Sequence, residues 1–246
     1  MSSSRRLPAL LVVLAVAASI TACGNDTTTH QATKSACTYA KDDTARVSKK
    51  VSPPPGDPPK DLPAALTIAT NHGDIKVSLD TAQAPCSVNA FVSLAKQGYF
   101  DNTHCHRLVD QGLYLLQCGD AGATGKPDSV DDGSGGPGFD IRDELVDKDA
   151  RLQPCTGQVD PQSGREVCTY TTGTVALANS GPDTSGSQFF LVYRDSSLPN
   201  AYTVIGKMSA AGVKVVQTVA QGGAYPPNAT SGNTPPKLET IITSVK

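Results

Sequence analysis

The sequence TVALANSGPDTSGSQFFLVY, residues 174–193, places an amide side chain beside aromatic rings. Gln188 carries a carbonyl acceptor and two N–H donors, so it can hold a backbone amide while a neighbouring ring holds an apolar group. Gln188 and Phe190 point to the same side of a strand because side chains alternate along it. One hypothesis from this pattern is a groove that binds a backbone amide beside an aromatic wall. The alternative is a strand with an ordinary polar residue on its solvent face.

Other polar clusters favour no metal or cofactor. His104 and His106 share one face of a strand while Cys105 points to the other, and the sequence offers no clear third ligand for zinc. The stretch GATGKPDS lacks the spacing of a phosphate-binding loop. A group of acidic residues is more typical of a solvated loop than of a calcium site: Asp131, Asp132, Asp140, Asp143 and Glu144.

The first residues have the layout of an export signal. Arg5 and Arg6 precede an apolar run at 7–18, and small residues follow. The sequence ITAC resembles a bacterial lipobox, in which Cys23 is acylated and becomes the first residue of the mature chain. We expect residues 1–22 to be removed and the lipid to anchor the protein at the extracytoplasmic face of the cell membrane. The alternative is an ordinary cleaved signal in which Cys23 has no role.

Composition limits the rest of the chain. With 246 residues, 38% hydrophobic content and a net charge of -2, it suits one globular domain with appendages and argues against a nucleic-acid partner. Residues 23–63 end in SPPPGDPPKDLP and predict an extended spacer. The domain then covers 64–246, and we expect the insertion at 148–172 to decorate it rather than shape the groove. We expect a monomer.

Six cysteines follow Cys23 in a compartment that permits disulfides. Cys155 and Cys168 bracket TGQVDPQSGREV, whose turn signals predict a loop that doubles back, so we expect these two to pair. The remaining four allow three pairings, and the sequence does not choose among them: Cys37, Cys86, Cys105 and Cys118. Any bond from Cys37 would clamp the spacer to the domain.

The elements that must position these residues are mostly strands. Alternating apolar residues predict a hairpin around 71–74 and two strands around 110–112. Three more strands are expected in GTVALAN, SQFFLVY and AYTVIGKM, and a last one in KLETIITSVK. Helical spacing predicts one helix from Pro85 to Gly98 and another around AGVKVVQTVAQ. We expect a mainly β fold, a small closed barrel capped by two helices, with residues 119–138 as a surface loop.

Three blocks of this sequence, HRLVDQGLYLLQCGD, ALANSGPDTSGSQFFLVY and YTVIGKM, resemble the signature blocks of the cyclophilins, the peptidyl-prolyl cis-trans isomerases. They occur in order and at fitting separations over about residues 66–246, and the chain is similar in particular to the lipoprotein cyclophilins of actinobacteria. The resemblance implies a closed eight-stranded antiparallel barrel with a helix at each end and a substrate groove on its outer wall. It also implies an enzyme that isomerises X-Pro bonds in exported proteins folding outside the cytoplasm.

The resemblance assigns functional residues by motif. Arg107 and Gln117 match the catalytic arginine and the glutamine of the adjoining strand. The positions that match substrate-binding residues are Tyr114, Leu115, Ala178, Asn179, Gln188, Phe190, Leu198 and Tyr202. The sequence departs from the family pattern in a hairpin two residues longer between Arg107 and Gln117, and in Ser197 where many members have a tryptophan. These departures keep a second hypothesis open, a proline-peptide binding module or holdase with little turnover.

Overall fold

The computed structural model describes residues 37–246, except for the side chain of Gln153. The predicted signal at 1–22 and Cys23 lie outside the described residues. The strands, β1 to β14, are Tyr39–Lys41, Ala65–Thr70, Gly73–Leu79, Thr103–His104, Arg107–Val109, Leu115–Cys118, Phe139–Ile141, Leu152–Val159, Glu166–Tyr170, Thr174–Leu177, Phe189–Val192, Ser196–Pro199, Val204–Met208 and Ile241–Val245. The helices are α1, Pro85–Lys96, and α2, Ala210–Gln221. Neither has the length and apolar content needed to span a membrane, within the part of the chain described.

One large antiparallel sheet carries the fold. Its nine strands run in the order β4-β14-β2-β3-β13-β10-β11-β6-β5. The closed eight-stranded barrel expected from the sequence is not confirmed, because this hydrogen-bonded ladder has nine strands and two edges. The edge strands β4 and β5 are nevertheless neighbours in the chain, separated only by Cys105 and His106. The chain therefore breaks its ladder pairing at these two residues and passes from one edge of the sheet to the other.

Local sequence explains the first hairpin and helix. Along β3, Ile75, Val77 and Leu79 are buried while the intervening residues are exposed, as period-two alternation predicts. Helix α1 begins at Pro85, whose missing N–H costs nothing at this position. The carboxylate of Glu144 accepts hydrogen bonds from the next two backbone N–H groups of α1 at 3.0 and 2.8 Å. The start of α1 is thus capped from a distant loop rather than by its own preceding residue.

The sheet has apolar residues on both faces. Phe189 belongs to the main core, where its ring lies 5.2 Å from that of Phe91 on α1. Phe190 points the other way, into a second cluster that includes Tyr170 and Leu198. All four residues of β11 are buried for this reason. A strand that is apolar on both faces must be covered on both, and the second cover comes from the insertion.

The insertion at 148–172 is an integral layer of the domain. Its strands β8 and β9 form a three-stranded sheet with β12. At its start the guanidinium of Arg151 bridges the carboxylates of Asp149 and Asp80, with N–O distances of 2.5 and 2.7 Å. The expectation that this segment only decorates the domain is therefore wrong. The burial of its apolar residues depends on β12, which lies nearly thirty residues further along the chain.

The described part of the predicted spacer is bound to the domain. Cys37 is disulfide-bonded to Cys86 on α1, and β1 pairs with β7. Arg46 places a guanidinium nitrogen 3.3 Å from the buried carboxylate of Asp120. Residues 37–46 are called the N-terminal arm below. The Cys37–Cys86 disulfide clamps this part of the spacer to the domain, as expected for any bond from Cys37.

The other two disulfides brace the site region. Cys155 is bonded to Cys168, the pair predicted from the sequence, and this bond joins β8 to β9. Cys105 is bonded to Cys118, which ties the break between β4 and β5 to the end of β6. Because Cys105 is in a disulfide, it offers no thiolate for the metal site considered in the sequence.

The loop at 119–138 is less exposed than predicted. Asp120 is fully buried, and its carboxylate accepts the backbone N–H groups of Gly122, Gly133 and Gly135 at 2.8 to 3.1 Å. Asp132 is buried in the same way against the loop backbone. The prediction of a surface loop was wrong at these two residues. Their carboxylates replace the missing strand and helix hydrogen bonds, which is how an irregular segment becomes buried.

Candidate active site

The hairpin of β5 and β6 presents Arg107 opposite Gln117. The two residues are register partners, and Nη1 of Arg107 donates a hydrogen bond to Oε1 of Gln117 at 3.3 Å. Arg107 is exposed and forms no ion pair with any described residue. A surface salt bridge is the ordinary use of an arginine on a strand, and that use is absent from the described structure. The guanidinium is held in place with donors free for a ligand.

Two glutamines fix the orientation of this arginine. Nε2 of Gln117 donates to Oε1 of Gln188 at 2.8 Å. Nε2 of Gln188 in turn donates to the carbonyls of Gly133 and Gly135 at 2.7 and 2.9 Å. The amide oxygen of Gln117 therefore faces Arg107, the oxygen of Gln188 faces Gln117, and the nitrogen of Gln188 faces the glycine loop. The chain of hydrogen bonds sets the position of the charged group before any ligand arrives.

An apolar wall lies beside this polar row. The rings of Phe190 and Tyr202 meet edge to face at 5.4 Å, and the ring of Tyr170 lies 6.0 Å from Phe190 and 6.3 Å from Tyr202. Other apolar residues of the same cluster complete the wall: Val109, Leu113, Leu115 and Leu198. Gln188 directly precedes β11, and its bond to Gln117, the register partner of Phe190, brings it to the same side as Phe190. The arrangement offers an apolar ring a surface next to a fixed cation.

Tyr170 was not foreseen as a site residue. It is fully buried, and burial raises the pKa of its hydroxyl, which therefore stays protonated. The hydroxyl lies 3.2 and 3.3 Å from the carbonyl oxygens of Pro199 and Tyr202, and it accepts the Tyr202 N–H at 3.3 Å. Tyr170 thus holds the backbone that carries the Tyr202 ring. The available signal was its place two residues after Cys168, on the same face of a strand.

Tyr114 does not line the apolar wall, although the motif match placed it there. Its ring lies 6.0 Å from that of Tyr193, and the guanidinium of Arg194 stacks 3.1 Å from its centroid. Leu115 faces the wall, and Tyr114 faces away because consecutive residues entering a strand point to opposite sides. Leu113 takes the position beside Leu115 instead. The longer hairpin is the feature that could have signalled this shift.

Ala178 and Asn179 form the far rim of the groove. The N–H of Ala178 donates to the carbonyl of Gln188 at 2.9 Å. The side chain of Asn179 donates to the carbonyl of Ala201 at 2.8 Å and accepts the N–H of Gly181 at 3.3 Å. The backbone N–H and C=O of Asn179 have no hydrogen-bond partner in residues 37–246. The side chain is used to hold the loop, and the backbone is left to bind a peptide.

Two cavities flank this rim and share Asn179 and Ser180. One has a volume of about 220 Å³ and lies between the glutamines and the N-terminal arm. The other has about 730 Å³ and lies against the insertion, where residues such as Asp160 and Arg165 line it together with Tyr202. Both segments predicted to stand apart from the groove therefore contribute to its walls.

Comparison with known proteins identifies the family. Residues 65–246 match the family described as "Cyclophilin type peptidyl-prolyl cis-trans isomerase/CLD". The chain therefore belongs to the cyclophilins.

Two curated relatives and one solved structure illustrate the similarity. The chain is 41% identical over 208 residues to "Probable peptidyl-prolyl cis-trans isomerase B" of Mycobacterium leprae, which covers 82% of this chain and 63% of the relative. It is 32% identical over 161 residues to "Peptidyl-prolyl cis-trans isomerase" of Helicobacter pylori, covering 65% of this chain and 82% of that one. A Cryptosporidium parvum cyclophilin crystallised in the presence of the dipeptide Ala-Pro has a TM-score of 0.52 and 27% identity, covering 74% of this chain and 96% of that chain. The chain spans less than two thirds of the mycobacterial relative.

Proposed function

We propose that this protein is a peptidyl-prolyl cis-trans isomerase that acts on X-Pro bonds of exported proteins. The observation that carries the proposal is an exposed Arg107, held by Gln117 and free of ion pairs with described residues, at the edge of an apolar wall. Family membership and the names of the relatives support the same activity. No nucleophile, metal or cofactor is needed for the reaction described next.

The reaction requires stabilisation of a twisted amide. Rotation about an X-Pro bond is slow because amide resonance sets a barrier of about 18–20 kcal/mol. When the bond twists, the prolyl nitrogen becomes pyramidal and gains a lone pair. The guanidinium of Arg107 is always charged and donates a hydrogen bond to that lone pair, which exists only near the transition state. The interaction therefore lowers the barrier without strengthening ground-state binding equally.

Other groups hold the substrate while the bond turns. The apolar wall around Phe190 and Leu115 holds the pyrrolidine ring, and the free backbone groups of Asn179 bind the peptide on one side of the proline. An acceleration of about a million-fold needs roughly 8 kcal/mol of differential stabilisation, which is more than one contact supplies. We therefore assign the effect to Arg107, the fixed glutamines and the wall acting together.

The proposed fold is a barrel of eight strands. The edge strands β4 and β5 of the sheet are joined by two residues, and counting them as one bent strand gives eight strands.

The proposed location is the outer face of the cell membrane. The lipobox-like sequence at Cys23 supports a lipid anchor there. Cell fractionation of a Cys23→Ser variant tests the anchor, since loss of the lipid releases the protein from the membrane fraction.

A chymotrypsin-coupled isomerisation assay of the purified chain on a short X-Pro peptide tests the activity. We expect clear acceleration, and we expect Arg107→Ala to lower kcat/KM by about 10²–10³-fold with peptide binding partly retained. Arg142→Ala is the matched control, because it removes an exposed guanidinium whose nearest carboxylate, that of Asp183, is 3.9 Å away. Unchanged turnover in Arg107→Ala would rule out this mechanism. A folded protein that binds the peptide but gives no acceleration would favour the binding module.

A further inference from the structure

The N-terminal arm forms one wall of the smaller cavity beside the candidate active site. Asp42, Thr44 and Ala45 line this cavity of about 220 Å³. Its opposite wall includes Gln117, Gln188 and the rim at Ala178 and Asn179. A peptide bound at Arg107 and Asn179 would therefore have the arm within reach of a side chain near its proline.

The arm is held firmly enough to act as a wall. The Cys37–Cys86 disulfide joins its start to α1, and the hydroxyl of Tyr39 donates to the carbonyl of Cys86 at 2.9 Å. The ladder of β1 with β7 follows immediately, and Arg46 closes the arm by its contact with Asp120. Attachments thus lie on both sides of residues 42–45. A wall anchored at both ends can select among side chains, because displacing it costs those contacts.

The cavity has the size and polarity to hold one polar side chain. Whole-ligand sites usually have about 300–1,000 Å³, so this volume suits a single side chain of a larger peptide. Hydroxyl groups line much of it, from residues Thr44, Ser134, Ser180 and Thr184. The hydroxyls of Thr44, Ser134 and Thr184 already donate within the protein, so their oxygens are left as acceptors for an occupant that donates hydrogen bonds.

Two carboxylates, those of Asp42 and Asp140, lie near each other on the wall of this cavity. Asp42 on the arm uses Oδ1 to accept from Thr44 and Ala45, and neither its Oδ2 nor the carboxylate of Asp140 has a hydrogen-bond or ion-pair partner in residues 37–246. Both residues line the cavity. Burial, and then repulsion by Asp42, raises the pKa of Asp140. The neighbouring cation Arg46 is already engaged by Asp120, so the cavity carries unbalanced negative charge.

We propose that the N-terminal arm is part of the client-binding groove and that Asp42, together with Asp140, selects clients with a lysine or arginine close to the proline. The inference rests on the proposed function, since it names the substrate class of that same groove. An ammonium or guanidinium group entering the cavity pairs with both carboxylates and donates to the surrounding hydroxyls. A glutamate at the same place meets like charge and is rejected.

Exchange NMR on a peptide series tests the selection without a protease. The peptides carry Lys, Met or Glu at each of the two positions before and the two positions after proline. We expect one position at which kcat/KM for Lys exceeds that for Met by about fivefold, with Glu poorer still. This ratio should shrink in 1 M salt because the cavity is partly open to solvent.

Variants of single carboxylates separate charge from fold. In Asp42→Asn with Asp140→Asn we expect the Lys-to-Met ratio to fall to about one, since Asn keeps the side-chain oxygen that accepts from Thr44. Asp43→Asn is the matched control, because Asp43 is exposed, pairs with Lys41 and does not line the cavity. This control should keep both turnover and the ratio. Asp42→Asn alone, which leaves β7 untouched, replaces the double variant if that one fails to fold.

The outcomes distinguish the two proposals. Equal rates for Lys, Met and Glu at all four positions, or a ratio that survives in the double variant, would overturn the role of the arm while leaving isomerisation intact. If no peptide is isomerised faster, the proposed function fails, and dissociation constants from calorimetry on the same peptides decide the selection. A lysine preference in binding that depends on Asp42 would then support the arm as a client contact, and its absence would overturn it.

Discussion

The hairpin of Arg107 and Gln117 and the segments that enclose it were predictable to very different degrees. Arg107 and Gln117 are separated by ten residues and are direct register partners, so strand alternation alone brings them together. The enclosing segments come from far away in the chain: Cys37 bonds to Cys86, 49 residues later, and Tyr170 packs on Phe190. The alternation of residues along neighbouring strands thus positions the Arg107–Gln117 pair, whereas contacts between residues far apart in the sequence position the segments around it.

The largest expected effect in the enclosing segments is that of Tyr170→Ala. This residue is fully buried between Phe190 and Tyr202, so we expect the free energy of unfolding to fall by about 3–5 kcal/mol and KM for an X-Pro peptide to rise. Denaturant unfolding and the isomerisation assay measure the two effects. Tyr170→Phe is the control: it keeps the ring, loses only the hydroxyl bonds, and should cost about 1 kcal/mol. A loss below about 1 kcal/mol in Tyr170→Ala would return the insertion to a decorative role.

This contrast also explains which parts of the molecule the sequence could predict. The first hairpin, both helices and the side shared by Gln188 and Phe190 follow from apolar periodicity and alternation. The burial of Asp120 does not, because its partners are backbone N–H groups of an irregular loop that no periodicity describes. The pairing of Cys37 was one of several open possibilities until the fold set the distances. Tyr170 was missed because its cover, β12, is distant in sequence.

The longer hairpin allows a test with a smaller expected effect. Leu113 and Tyr114 are adjacent but face opposite sides, so only one of them should contact the bound peptide. Leu113→Ala should raise KM for the peptide by about fivefold, a transfer effect of roughly 1 kcal/mol for a half-buried side chain, with stability nearly unchanged. Tyr114→Ala should lower stability through loss of the contacts with Tyr193 and Arg194, and leave KM as it was. Steady-state kinetics and thermal unfolding of both variants check the assignment. If Tyr114→Ala were the variant with the raised KM, the motif match would be right and the observed register wrong.

The third effect concerns His106, which links the predictable hairpin to the loop that was not predicted. His106 directly precedes Arg107, is fully buried, and has no hydrogen-bond partner for either ring nitrogen among the described residues. Burial lowers its pKa, and this outweighs the opposing influence of the Asp120 and Asp132 carboxylates. The folded protein therefore keeps His106 neutral at a pH where the unfolded chain, with an ordinary pKa of about 6.5, takes up a proton.

The direction of the pH effect follows from this difference. The unfolded state binds more protons below pH of about 6.5, so the free energy of unfolding should decrease as pH falls from there, by at most about 1.4 kcal/mol per pH unit, and stay level above it. Burial raises the pKa of Asp140 and Asp143, so the folded state binds more protons at these two groups than the unfolded state does. Their contribution to the free energy of unfolding increases as pH falls and can only reduce the slope due to His106. Denaturant unfolding between pH 7.5 and 5.5 measures this slope, and His106→Asn is the variant that should remove it. If His106→Asn does not fold, an NMR titration of the wild-type ring that finds an ordinary pKa would contradict the argument. A neutral His106 also places no second positive charge beside Arg107. The burial that lowers the stability of the fold in acid therefore leaves the Arg107 guanidinium, among the residues that the structure describes, as the only cation at this end of the hairpin.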